Sequence, residues 1–285
     1  MTTGNFGKTV KFYLIDGTPN GAMTCELSNW IGKAYKIPRT FVKNYQNRDE
    51  LRSPGIYMLF GKDTEDPEKD MAYIGEAEDI IVRLKQHIAG KEFWNDSVAV
   101  ISKDNNLNKA HIKYLEKRLY EMAIKADRYK IENAVIPTGA SLSEPDTAEM
   151  NEFCYNIKML ISMLGYKVFE EIQTLYQNED KTFYIKATRG ADARGQLTSE
   201  GFLVLKNSKI AVETVNSFPK TYEKLRNDLI SNGIVGNKNG ELVFLKDYLF
   251  SSSSAAAIIV MGRSANGLTE WKLKSGKTLK EYEKE

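Results

Sequence analysis

Cysteine is nearly missing from this chain. Two thiols, Cys25 and Cys154, stand in 285 residues, too few for a disulfide framework or a cysteine-only zinc site. Their separation shows no metal-ligand spacing. A reducing, cytoplasmic compartment is the expectation. Proline, at 7, and glycine, at 20, are too few for collagen-like or low-complexity sequence. Long apolar runs are absent as well. The longest weakly polar stretch, residues 255–262, is far too short to cross a bilayer, and residues 1–11 hold no apolar core of a signal peptide. A membrane is therefore not an expected partner. What remains is ordinary: 42% hydrophobic and 27% charged residues, enough for a core, over a length that suggests about two domains.

The net charge of +2 hides an asymmetry. Residues 1–180 carry 23 Lys/Arg against 27 Asp/Glu, and residues 181–285 carry 17 against 11. The back of the chain is thus +6 and the front −4, so a polyanion would be held by the C-terminal third.

Along the chain, residues 8–14 alternate as a strand, and 16–21 supply turn chemistry before a second strand at 23–27. Residues 28–46 read as a short helix and loop. Two β-rich runs, 54–61 and 71–75, flank an acidic stretch at 63–70 and read as a hairpin with a long connection. A helix follows at 78–87, then a strand at 97–101 and a long amphipathic helix at 107–126 with Ile112, Leu115, Leu119 and Met122 on one face. Another helix spans about 146–164. The polar stretch 173–181 is the expected domain boundary. Beyond it, 182–186, 202–205 and 242–244 read as strands and 218–231 as a helix.

The chemistry-bearing residues gather on the hairpin and the helices after it. Arg83 and His87 are four residues apart and project from one helix face. A guanidinium keeps its proton and presents a planar fork of donors, which suits a phosphate. Tyr57 and Tyr73, on adjacent antiparallel strands, can point to one face of the sheet. Glu116 is an acid on the amphipathic helix, beside the apolar Leu115 and near Leu119. His111 reads as a surface or supporting residue, Cys154 as a buried small apolar one, and Glu132 as a surface acid.

In order, Gly55-Ile56-Tyr57, Tyr73-Ile74-Gly75, Arg83, His87, Glu116 and Asn133 resemble the GIY-YIG nuclease superfamily over about residues 53–135. The resemblance implies an α+β fold with a small central three-stranded antiparallel sheet flanked by helices. It also implies metal-dependent hydrolysis of DNA phosphodiester bonds. On that reading Tyr57 is the general base or holds the attacking water, with His87 taking or relaying its proton. Tyr73 positions water and phosphate, and Arg83 stabilises the transition state. Glu116 is the ligand of one Mg²⁺ or Mn²⁺, and Asn133 supports the site by hydrogen bonding. Sixteen residues separate Tyr57 from Tyr73, more than a tight hairpin needs, and the acidic loop takes up the excess.

Residues 182–285 resemble an uncharacterised domain often joined to such nuclease modules, domain of unknown function 4357. The resemblance rests on Ala193-Arg194-Gly195, Gly201 to Lys206, Ser251 to Ala257, and Gly262 to Gly267 before Glu270-Trp271. Arg189, Arg194, Lys206, Arg263 and Lys272 are its candidate nucleic-acid-binding residues, with Phe202 and Trp271 near them in sequence. The expected layout is a lead-in module at 1–50, a nuclease domain at 51–172, and a basic domain at 182–285. The expected function is a divalent-metal-dependent endonuclease acting on single- or double-stranded DNA. The alternatives are a non-catalytic nucleic-acid-binding or regulatory protein on the same fold, and an RNA-processing nuclease.

Overall fold

Alternation of apolar residues on the two sides of each strand decides where the layers go. In the computed structural model, which describes residues 6–64, 69–171 and 181–284, the chain divides into two units, 1–171 and 172–285. Both are mixed α+β. Most of the expected domain boundary at 173–181 and the middle of the acidic loop lie outside the described residues.

Unit 1 is built on strands β1 (Val10–Leu14), β2 (Met23–Leu27), β3 (Gly32–Pro38), β4 (Gly55–Lys62), β5 (Asp70–Ala77), β6 (Trp94–Ser102) and β7 (Lys130–Ile131). Among the described residues they form one seven-stranded sheet in the order β1-β2-β3-β6-β4-β5-β7. The expectation of a three-stranded sheet is corrected here. The hairpin β4–β5 and β6 are its centre, but β3 pairs along its whole length with β6, from Gly32 opposite Ser102 to Pro38 opposite Asp96. Through β3, the strands of the expected lead-in at 1–50 join the same sheet. Residues 28–46, read as helix and loop, contain β3; their helical part is a 3₁₀ turn at Arg39–Tyr45.

The faces of this sheet pack against different helices. Even-numbered residues of β4 and β5, Ile56, Met58, Phe60, Ala72 and Ile74, bury against α2 (Lys109–Ala126) and α3 (Glu144–Met163) through Ile112, Leu115, Leu119, Phe153, Ile157 and Leu160. Odd-numbered residues, including Tyr57 and Leu59, bury with Ile80, Ile81 and Leu84 of α1 (Ile80–Gly90). Asp79 starts α1 by accepting from the Val82 amide (3.0 Å). Asn108 and His111 form a capping box at the start of α2. His111 is buried there, so its work is helix capping, and the surface role expected from sequence is replaced.

Unit 2 contains β8 (Phe183–Lys186), β9 (Asp192–Thr198), β10 (Gly201–Val204), β11 (Lys209–Ile210), β12 (Val235–Lys238), β13 (Glu241–Phe244) and β14 (Tyr248–Phe250) in a second sheet. Helices α4 (Lys220–Ser231) and α5 (Ser253–Met261) share its core. The Arg226 guanidinium, buried, donates to the carbonyls of Ile259 (3.0 Å) and Ala211, tying α4 to α5 and to the end of β11. Among the described residues no helix is long and apolar enough to cross a membrane.

Candidate active site

The two glycines of the paired tripeptides explain themselves once the hairpin is built. In the register of β4 and β5, Tyr57 lies opposite Gly75 and Leu59 opposite Tyr73. Tyr57 and Tyr73 therefore share a face as a diagonal pair, with ring centroids 6.0 Å apart. The Tyr57 ring lies across Gly75: a Cβ there would meet the Tyr57 hydroxyl at 2.4 Å. At Gly55 a Cβ would meet the Val100 carbonyl of β6 at 2.4 Å.

Helix α1 brings its face to the same place. His87 Nε2 stands 2.7 Å from the Tyr57 hydroxyl, and Arg83 Nε donates to that hydroxyl at 3.3 Å. When the His87 imidazole is protonated at Nδ1, its Nε2 accepts the phenol proton while the phenol oxygen accepts from Arg83. The Tyr73 ring completes the group, 5.1 Å from the imidazole. Tyr57 and His87 are buried at 0% and 6% exposure, whereas Tyr73 and Arg83 are partly open. The cluster thus has an enclosed inner pair and a solvent-facing outer pair.

Burial pushes the Tyr57 phenol well above its ordinary range, with the neighbouring Tyr73 adding to the effect and Arg83 opposing it. Burial likewise pulls His87 down to about 4, helped by the charges of Arg83 and Lys91. The imidazole is therefore neutral at physiological pH and ready to accept a proton. Stability must respond. The unfolded imidazole takes a proton near pH 6.5 while the folded one refuses it until about pH 4. The contribution of His87 to the stability of unit 1 should be complete above pH 6.5 and fall by roughly 3 kcal/mol as pH drops to 4. Proton–carbon correlation NMR of the imidazole C–H groups checks this directly, because the chain has only 2 histidines. The His87 signal should keep its neutral shift at pH 5; a midpoint near 6.5 would contradict the enclosure.

Asn133 sits at the edge of β5. Its amide accepts from the Ile74 N–H (3.1 Å) and donates to the Ile74 carbonyl (2.7 Å), extending a pairing that β7 makes only at Met71 and Ala72. It supports the strand that carries Tyr73.

Glu116 reaches the site from another element than α1. It rises from α2, on the sheet face opposite α1, and meets β5 at Glu76, whose main chain hydrogen-bonds its carboxylate. Burial raises Glu116 to about 7, the Glu76 charge adds to the rise, and Lys109 and Lys113 oppose it. Lys109 is bound to Glu76 at 3.0 Å. Among the described residues no group of three or more His, Cys, Asp and Glu side chains is arranged to hold a metal. The oxygen donors of Glu116 and Glu76 nevertheless fit a hard divalent cation: two carboxylates held close enough to repel are relieved by one, and water and substrate oxygens complete its shell.

Three residues near these groups were not singled out in the sequence. Glu76 and Lys109 surround Glu116, and Lys91 lies over the Tyr73 ring, 4.6 Å from its centroid. The signal for Lys91 was its place four residues beyond His87. Glu132, expected as a surface acid, is half-buried in an ion pair with Lys91.

In unit 2 the candidate basic residues fall into two groups. Arg194, Lys206 and Lys272 are exposed. Arg263 is ion-paired with Glu270 at 2.9 Å, and Arg189 donates to the Met261 carbonyl at 3.2 Å. Phe202 and Trp271 are both 0% exposed, with rings 4.5 Å apart. They are core residues and offer no stacking surface for a base.

No curated protein and no solved structure matches this chain. Residues 183–283 match the family model described as Domain of unknown function (DUF4357), so the C-terminal unit carries a domain of that family, as its sequence words implied.

Proposed function

We propose that unit 1 is a divalent-metal-dependent endonuclease of GIY-YIG type that hydrolyses DNA. The observation that carries the reading is the Tyr57–His87–Arg83 cluster: a neutral imidazole hydrogen-bonded to a phenol, with a guanidinium on the same oxygen and open to solvent on its outer side. Such a set moves a proton inward and holds an anion outward. Water attacks phosphorus as the bond from phosphorus to the leaving sugar oxygen breaks; the water proton passes to the Tyr57 oxygen as the phenol proton moves to His87 Nε2, and the leaving oxygen takes a proton from solvent. Tyr57 then acts as a relay, because its raised pKa and enclosure make it a poor base by itself. Arg83 stabilises the charge that grows on the phosphate oxygens, Tyr73 positions the phosphate at the outer wall, and Asn133 fixes the strand beneath it. Glu116, with Glu76 beside it, would hold a Mg²⁺ or Mn²⁺ ion, which when bound supplies Lewis-acid stabilisation of phosphate charge. The exposed Arg194, Lys206 and Lys272 of unit 2 hold the polyanion, with Arg189 and Arg263 in supporting roles.

Circular DNA, duplex and single-stranded, distinguishes an endonuclease from a binding protein. With Mg²⁺ or Mn²⁺ the expected product is a nicked or linear molecule, and chelator should abolish it. Circles left intact with either ion, but retarded by the protein in a salt-sensitive way, would replace the enzyme by a non-catalytic binding module. Cleavage confined to an RNA circle would make the protein an RNA-processing nuclease.

A further inference from the structure

Arg83, His87 and Lys91 follow one another at four-residue intervals, and the third is held as firmly as the first two. Lys91 is the residue that ends α1. Its N–H donates to the His87 carbonyl (3.0 Å), and its carbonyl accepts from Arg39 Nη1 (2.5 Å). Arg39 also donates to the Ile88 carbonyl (2.9 Å) and lies over the Trp94 ring. The backbone of Lys91 is thus clamped from both sides, and its side chain turns back over Tyr73 to meet Glu132. Glu132 is itself fixed: its N–H donates to the Ala72 carbonyl (2.9 Å), and Asn133 beside it is paired with Ile74. The side chains of Lys91 and Glu132 are 19% and 34% exposed. A mostly buried ammonium with an anion on its more open side, beside Tyr73 and on the helix of Arg83, has the form of an anion site with an acid of the protein already in it.

Resting on the nuclease reading above, we propose that Lys91 is a further phosphate-holding residue of this site. Glu132 occupies in the free protein the place that a DNA phosphate takes on binding. DNA displaces the carboxylate, and Lys91 exchanges one anion for another without leaving the Tyr73 ring. The carboxylate acts as a tethered competitor: it keeps the ammonium positioned and prevents it from binding other anions tightly.

The two members of the pair should therefore act in opposite directions on DNA affinity, which a purely structural ion pair would not do. Anisotropy with a labelled duplex oligonucleotide, in chelator so that nothing is cut, measures both affinity and its salt dependence between about 50 and 200 mM salt. Lys91→Met should weaken binding and reduce the slope of log affinity against log salt by about one, the signature of one lost phosphate contact. Glu132→Gln should tighten binding about three- to tenfold, a gain that unfolding cannot produce. Lys91→Arg should keep the wild-type slope, and the double variant should behave as Lys91→Met, since the acid then has nothing to occupy. Lys91→Met with wild-type affinity and slope, or Glu132→Gln with weaker binding, would overturn the assignment. Where wild type cleaves DNA while these variants bind as it does, only this inference falls. Where wild type shows no salt-dependent DNA binding, the nuclease reading falls with it.

Discussion

Gly75→Ala is expected to slow DNA cleavage about a hundredfold or more while leaving unit 1 folded. The methyl group would stand 2.4 Å from the Tyr57 hydroxyl and 2.5 Å from the ring carbon that bears it, so the ring must move. Strand β4 fixes Gly75 in the register of the sheet, and Tyr57 is fully enclosed; the displacement therefore falls on the bonds to His87 and Arg83. Misplacement of a reacting group by about 1 Å lowers rates by about 10²-fold, whereas overpacking costs about 1–3 kcal/mol of stability. Thermal melts beside single-turnover cleavage separate the two effects. Gly90→Ala is the matched control, since a Cβ there meets nothing within 4 Å; it should leave cleavage unchanged. Full activity in Gly75→Ala would mean that the Tyr57–His87–Arg83 arrangement is not the reacting group.

Glu116→Gln is expected to stabilise unit 1 at pH 8 in chelator, by on the order of 2–3 kcal/mol. The sign follows from the raised pKa. Below pH 4.5 the carboxyl is protonated in both folded and unfolded chains, and no penalty exists. Between 4.5 and about 7 the unfolded chain ionises and the folded one resists. Above 7 the folded protein holds a half-buried charge close to Glu76, and the full penalty applies. Glutamine imitates the neutral carboxyl, so its advantage should vanish at pH 4.5. Added Mg²⁺ should raise the melting temperature of wild type at pH 8, by mass action on the folded state alone, and should not raise that of the variant. Equal stabilisation at both pH values would reduce Glu116 to an ordinary misfitted acid. A Mg²⁺ response that survives in the variant would remove it from the metal site. A group that destabilises the protein it belongs to is the usual mark of a site kept for chemistry.

The tyrosine pair and the Arg83–His87 face were legible because both follow from local periodicity. Period two on antiparallel strands puts residues 57 and 73 on one side, and a spacing of four on a helix puts 83 and 87 on one face. The seven-stranded sheet was not legible. Its extra strands enter through β3 against β6, a pairing across some sixty residues, and residues 32–38 carry Lys33 and Lys36 in a stretch that reads locally as polar. In the fold those lysines find Glu50 and Asp96. Phe202 and Trp271 failed for the opposite reason: nearness in sequence to basic residues says nothing about which face of a strand an aromatic takes. The bond of Glu116 to the main chain of Glu76, and the Glu132 carboxylate on Lys91, depend on which strand lies at the edge, and that is fixed only by the complete topology.

Nicking of supercoiled plasmid by wild type and by Arg83→Ala, side by side in Mg²⁺, tests the central claim most directly. Arg83 is half-exposed and donates to the Tyr57 hydroxyl and to Gln86, so its loss should leave the melting temperature nearly unchanged. Wild type should convert supercoiled to open circular DNA, and Arg83→Ala should do so about 10²–10³-fold more slowly. Supercoiled DNA that persists intact with wild type, or nicking at equal rates by both proteins, would contradict the account.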